Sequence, residues 1–234
     1  MNKKLLAGKM GKSNLGWLES RFHFSFADYI NYDNINFGVL RVLNDDIIHP
    51  LSGFDTHPHN NMEIISYIVQ GEITHKDSMG NKETLKKGEV QYLSAGRGIT
   101  HSEHNTHQSD DLRLLQIWIL PPAKNLDTLY GSYKYQNEES QEKILKIVSS
   151  QTGDAKIKIY QDVNIYVSQL SPDTVQKFPI NKNRQVYFVQ IEGSSNVNGI
   201  ELNDGDAMEI VDEDSLEIHS LKKSHILFIE MKAS

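Results

Sequence analysis

The 234-residue chain contains no cysteine. Disulfides, thiolate nucleophiles and cysteine-type zinc sites are therefore excluded, and any transition metal must be held by histidine and carboxylate. Long apolar runs are also missing. No segment approaches the roughly 20 apolar residues of a membrane-spanning helix, and the short run after the basic start is cut off by Lys9 and Lys12, which is too early for a secretion signal. Nor is there an excess of positive charge: 24 Lys and Arg stand against 31 Asp and Glu, a net charge of −7, so no general attraction to nucleic acid is expected. Together these absences predict a soluble cytoplasmic protein with no membrane partner and no direct nucleic-acid partner. A monomer is the simplest expectation.

What is present is a succession of short strand patterns. Phe22, Phe24 and Phe26 alternate with polar residues, which predicts a strand with one apolar face and His23 directed away from that face. Gly38 to Leu43 reads as a second strand, ending in a turn at Asn44-Asp45-Asp46, with a loop at Pro50 to Gly53. Glu63 to Val69 is β-branched and aromatic, and Leu114 to Leu120 is a further strand. Hairpin turns are expected at Met79-Gly80-Asn81 and Lys86-Lys87-Gly88-Glu89. The polar stretch from Asn137 to Lys146 marks a domain connection with room for a short helix. Strands recur beyond it at Ile157–Tyr160, Asn164–Leu170, Gln185–Ile191, Ala207–Val211 and Ile226–Met231, with turns such as Asn198-Gly199. Tyr67-Ile68-Val69-Gln70 is echoed by Tyr187-Phe188-Val189-Gln190, which suggests a duplicated unit. An all-β sandwich or barrel follows, with a suspected duplication over residues 1–135 and 136–234.

The chemistry is concentrated between His57 and Asn105. His57-Pro58-His59 and His101-Ser102-Glu103 are two i, i+2 pairs, and residues two apart on a strand share a face. Each pair reaches one point from one strand, so together they offer a nitrogen and oxygen site for a divalent metal. Three neutral imidazoles and one carboxylate leave such an ion with one residual positive charge and an open position for an anionic oxygen donor. Glu63 has the same odd-number parity as the first pair and is a second candidate for the interior. Met62, Ile65, Tyr67 and Ile99 are candidates for an apolar wall above the site. His75, His104, His107, His219 and His225 have no partner pair and read as surface or loop residues.

The wording around these pairs is more specific than the pairs themselves. Gly53, His57-x-His59, Glu63, Gly71, Gly88, His101 and Asn105 resemble the two motifs of the cupin superfamily. Arg21 to Tyr29, Leu40 to Asp46, Thr56 to Ile64, His75 to Asn81 and Ser94 to Glu103 resemble the pirin family over about the first 120 residues. The resemblance implies a bicupin, two jelly-roll domains packed face to face. It also implies one divalent transition metal, usually Fe(II), in the first domain on His57, His59, His101 and Glu103. Zinc, nickel, cobalt, manganese, copper and cadmium are substitutes that such a donor set also accepts. The sequence departs from the commoner family wording at Asn60-Asn61 and His104, which flank the site and bear on substrate choice.

Some pirin-like proteins cleave the flavonol quercetin with dioxygen and release carbon monoxide. The resemblance therefore implies a dioxygenase acting on a planar aromatic substrate with O2, with Glu103, or Glu63 nearby, taking the proton of the flavonol hydroxyl. The competing reading is a metal-dependent, redox-sensing regulator that docks a protein partner without turnover. A metal-free structural protein would require all four ligand-type residues to be coincidental.

Overall fold

The computed structural model describes residues 1–233, apart from the side chain of Asn137. The chain forms two compact units, one of residues 11–135 with 159–161, the other of residues 1–10, 136–158 and 162 onward. Strand β1 (Asn2–Leu5) therefore belongs to the second unit, whereas the sequence groups it with the first. It pairs with β20 (Ala207–Ile210), and Lys3 and Lys4 form ion pairs with Glu209 and Asp206. Four residues are too few to carry a periodicity that would have disclosed this partner.

The first unit runs β2 (Gly11–Asn14), β3 (Leu18–Phe22), β4 (Leu40–Ile48), β5 (Ser52–His59), β6 (Glu63–Gln70) and β7 (Glu72–Asp77). It continues with β8 (Lys82–Lys86), β9 (Val90–Ser94), β10 (Ile99–Asn105), β11 (Leu112–Ile119) and β12 (Leu129–Tyr133). A seven-stranded antiparallel sheet has the order β12-β9-β6-β11-β4-β3-β2, and a four-stranded one the order β5-β10-β7-β8. Leu18, Ile48, Ile68, Ile73, Leu85, Leu112 and Leu114 form a core cluster contributed by both sheets.

The second unit adds α1 (Asn137–Ser140), then β13 (Leu145–Ser150), β14 (Ile157–Ile159), β15 (Val163–Leu170), β16 (Val175–Pro179) and β17 (Arg184–Glu192). It ends with β18 (Ser194–Val197), β19 (Ile200–Asn203), β20, β21 (Ser215–Ser220) and β22 (Ser224–Lys232). Its sheets repeat the plan, in the orders β1-β20-β17-β22-β15-β13-β14 and β16-β21-β18-β19. β6 and β17, which carry the two similar Tyr-containing segments, are each third in their sheet. Asn198 and Gly199, both at positive φ, close the two-residue hairpin between β18 and β19.

Four sequence expectations change here. The Phe22–Phe26 stripe is not one strand: β3 stops at Phe22, and residues 23–26 fold over as a loop. His23 is buried at 1% exposure rather than turned to solvent. Asn44-Asp45-Asp46 is not a turn but the middle of β4, paired with Gln116, Leu115 and Leu114 of β11. Turn propensity is overridden there by pairing on both edges and by Arg113, whose Nε and Nη2 each donate to Asp45 at 2.8 Å. The turn at residues 86–89 is no hairpin either, since β8 and β9 lie in different sheets.

Gly53 lets β5 approach β10 closely, because a Cβ there would collide with the backbone of Glu103 and His104. Gly53→Ala is expected to cost about 1–3 kcal/mol by overpacking and to lower divalent-metal affinity together with stability. Thermal denaturation and metal titration of the variant check both effects.

Candidate metal centre

β5 and β10 are antiparallel neighbours with His101 directly opposite His57. His59, two residues along β5, projects from the same face. The three imidazoles converge, with ring centroids 4.8 Å apart for His57 and His59, 4.5 Å for His57 and His101, and 4.9 Å for His59 and His101. One ligand-type atom from each lies within 4.8 Å of the others. The Nδ1–H of His57 donates to the carbonyl of Asp55 at 2.7 Å, which leaves Nε2 as the lone-pair nitrogen. Both ring nitrogens of His101 are buried without a hydrogen-bond partner. Such orphaned nitrogens carry a desolvation cost that a coordinated cation would offset, so the donor set fits a divalent metal.

Glu103 follows a β-bulge that shifts the β10–β5 register, so that it lies opposite Phe54. It is 2% exposed. Its Oε1 accepts from Gln91 Nε2 at 2.9 Å and lies 3.2 Å from Ser66 Oγ, and its Oε2 accepts from Gln116 Nε2 at 2.9 Å. A carboxylate has about four lone-pair sites, so one on Oε2 stays free for a metal or a proton. By the same 4.8 Å spacing, Glu103 clusters with His75 and His101.

Burial, helped by the neighbouring imidazoles, pushes His59 down to about 4 and His101 down to about 3. Both are neutral near pH 7, the form that ligates metal. Beside them is a cavity of about 300 Å³ walled by Leu15, Leu18, Phe22, Phe26, Phe54 and Trp118, with His57, His59, His101 and Glu103 on its lining. Trp118 stands edge-on to His59, with centroids 5.0 Å apart. Asn44, Asp46 and Gln116 supply further polar groups to this cavity. Burial raises the Asp46 carboxyl to about 7, against the Ser20 hydrogen bond that lowers it and with Asp45 and Glu103 adding to the rise. None of these three was singled out in the sequence, where Asn44 and Asp46 read as turn residues. Only the period-2 spacing of Asn44 and Asp46 could have signalled a shared face.

The expected wall and the second carboxylate lie elsewhere. Ile64 lines the cavity, while Met62 and Ile99 pack with Leu93 and Ala95, and Tyr67 bonds the hydroxyl of Tyr135 at 2.8 Å. Glu63 does not face the interior that His57 and His59 share. It accepts from Tyr92 Oη at 2.8 Å and from the backbone N–H groups of Tyr160 and Gln161 at 2.7 and 2.9 Å. The parity argument fails because residues 60–62 form a corner between two sheets, with Asn61 at φ 49° and its N–H bonded to the Gly96 carbonyl. His75 is fully buried, not at the surface, and bonds Asp77. His104, whose Nε2 lies 3.3 Å from Asp55, and His107 are partly exposed and line no part of the cavity.

A family model described as Pirin matches residues 5–119, and one described as Quercetinase C-terminal cupin domain matches residues 146–231, so the two units are cupin-type domains. The quercetin 2,3-dioxygenase of Escherichia coli strain K12 is 36% identical over 225 residues, 96% of each protein. The pirin-like protein of Caulobacter vibrioides is 37% identical over 223 residues, 95% of this chain and 96% of its own. The crystal structure of bacterial pirin YhhW from Escherichia coli in complex with nickel(II) matches with a TM-score of 0.94 at 35% identity, covering 100% of both chains.

The folded state keeps His23, His59 and His101 unprotonated down to about 4, 4 and 3, whereas the unfolded chain protonates them near 6.5. The unfolded state thus binds more protons in that window, and stability falls as pH is lowered through it. Asp46 has the opposite sign: its raised pKa adds stability below about 3.8 that is lost as pH rises through about 7. In metal-free protein, denaturant midpoints are expected to fall from pH 7 to pH 5, and the fall should be steeper in Asp46→Asn.

Proposed function

Because the chain belongs to the pirin family, we propose that it is a metal-dependent dioxygenase that opens the ring of a flavonol such as quercetin with O2 and releases carbon monoxide. The observation that carries this reading is the convergence of three imidazoles, with the Glu103 carboxyl group on the same lining, at an aromatic-walled cavity of about 300 Å³. Pockets of that size lie at the lower end of those that take small molecules. The name quercetin 2,3-dioxygenase, borne by a relative matched along nearly the whole chain, supports the substrate class.

In this reading His57, His59, His101 and Glu103 hold the ion. Three nitrogens and one oxygen suit iron(II), the ion we assign, and they accept nickel(II), the ion named with the Escherichia coli structure. When bound, the metal supplies Lewis acidity at the 3-hydroxyl oxygen of the flavonol. The chain supplies the rest. Oε2 of Glu103 gives its one free lone pair to the ion in the resting protein and to the hydroxyl proton once the flavonol is bound, while Gln91 and Gln116 fix the carboxylate in place. Phe26, Phe54 and Trp118 orient a planar ring system, and Phe22 and Leu18 keep water from the reacting edge. Glu63, held by three donors on the far side of β6, takes no part in the proton step.

Iron-loaded protein incubated aerobically with quercetin is expected to bleach the flavonol and release carbon monoxide. No turnover across several flavonols would sink the dioxygenase reading. Folded Glu103→Ala should bind divalent metal at least about 10- to 100-fold more weakly, the range known for groups that only support ligands. Wild-type affinity in that variant would remove Glu103 from the ligand set.

A further inference from the structure

His75 and Asp77 have no part in the mechanism above, yet both side chains are fully buried against the metal centre. Asp77 is a fixed acceptor. Its Oδ1 accepts from the backbone N–H groups of Met79 and Asn81 at 2.9 and 3.0 Å, and its Oδ2 accepts from Asn81 Nδ2 at 2.8 Å. His75 Nε2 lies 3.1 Å from that Oδ2. A carboxylate so supplied only accepts, so Nε2 carries the proton and Nδ1 is bare. Nδ1 is buried and has no partner. The ring is held in plane by Tyr130, stacked at 4.7 Å and 16°, whose hydroxyl donates to Glu83 at 2.9 Å.

His101 poses the complementary problem. Both of its ring nitrogens are unpartnered, and a metal takes only one of them. The other must carry a proton and needs an acceptor. A His75 nitrogen, a His101 nitrogen and a Glu103 oxygen lie within 4.8 Å of one another, and the two rings are 5.5 Å apart between centroids. Glu103 already receives Gln91 and Gln116, Ser66 Oγ lies 3.2 Å from its Oε1 and 3.0 Å from Gln116 Oε1, and in the reading above the free lone pair on Oε2 goes to the metal or the substrate proton. The acceptor left is His75 Nδ1.

We propose that Asp77 and His75 form a carboxylate–imidazole relay that accepts the N–H of His101 and so fixes which of its nitrogens faces the metal. His75 is a positioning residue. It does for His101 what the Asp55 carbonyl does for His57. The inference rests on the metal-centre reading and extends the support of that centre to residues on β7.

Cobalt(II) serves as the probe, with affinity read by competition against a chelator and ligation read from the visible absorption bands. His75→Gln keeps an N–H for Asp77 but offers no acceptor at the Nδ1 position, whereas the Oδ1 of His75→Asn stands about where Nδ1 did. We expect His75→Gln to bind cobalt(II) roughly 10- to 100-fold more weakly with shifted bands, and His75→Asn to stay within about threefold of wild type, each at one ion per chain. Wild-type affinity in His75→Gln overturns the relay. Equal loss in both variants, or a second cobalt(II) per chain that they abolish, overturns it in favour of direct ligation by His75. Long-range 1H–15N spectra of the zinc-loaded wild type give a reading that needs no variant: the proton of His75 is expected on Nε2, and a proton on Nδ1 overturns the proposal. His59→Ala is the control, since unchanged cobalt(II) binding in that variant would instead defeat the metal-centre reading itself.

Discussion

Antiparallel pairing of β5 with β10 places His57 opposite His101, and the position of each ligand candidate follows from that contact. The pairing needs Gly53, because any side chain there would strike the Glu103 backbone. It also needs the bulge between His101 and Glu103. Without that shift, Glu103 would lie opposite Asp55 instead of Phe54, while Gln91 on β9 and Gln116 on β11 hold its carboxylate. The four-stranded sheet therefore carries the imidazoles, and the seven-stranded sheet carries the amides that hold the carboxylate. A site of this kind is rigid because its supports lie in paired strands and not in loops.

The same sheets sort charge. Asp45 and Asp46 are neighbours on β4 and so point to opposite faces. Asp45 meets Arg113 in two 2.8 Å bonds and Arg21 at 3.5 Å, whereas Asp46 faces the cavity with Ser20 and, among the described residues, pairs with no cation. One carboxylate is neutralised by pairing and the other is driven toward its protonated form by burial. A cavity containing Glu103 therefore avoids a second full negative charge near pH 7. That leaves the charge compensation of a metal to Glu103, while burial favours the neutral, lone-pair-donating form of His59 and His101.

The four proposed ligand residues were legible because their spacing is local: two i, i+2 pairs need only that each lie on a strand. What the sequence concealed were features set by strand pairing, by enclosure and by a corner between sheets. Asn44 and Asp46 look like turn residues until β11 pairs with them. His75 looks like a hairpin residue until Asp77 and Tyr130 enclose it. Glu63 shares parity with His57 only on paper, since the corner at Asn61 resets which face is inward. β1 could not be assigned from four residues, and its place follows from the edge of β20, where β12 occupies the matching slot in the first sheet.

The two sheet orders also bear on why, among the described residues, the candidate ligands gather in the first domain. By position, β16 and β21 of the second domain correspond to β5 and β10 of the first, and they pair antiparallel in the same way. The residues on that pair are Val175-Gln176-Lys177-Phe178 and Ser215-Leu216-Glu217-Ile218-His219. Phe178, Leu216 and Ile218 pack into a cluster with Tyr166, Phe188 and Phe228, with Tyr166 stacked on Phe228 at 4.8 Å and 16°. Where the first domain converges imidazoles beside a cavity, the second closes its interior with rings and aliphatic side chains. His219, the one histidine on the equivalent strands, is half-exposed and has no imidazole opposite it. The same backbone plan thus presents candidate ligands or packed apolar side chains according to what these two paired strands carry, and among the described residues no group of three or more potential metal donors lies in the second domain.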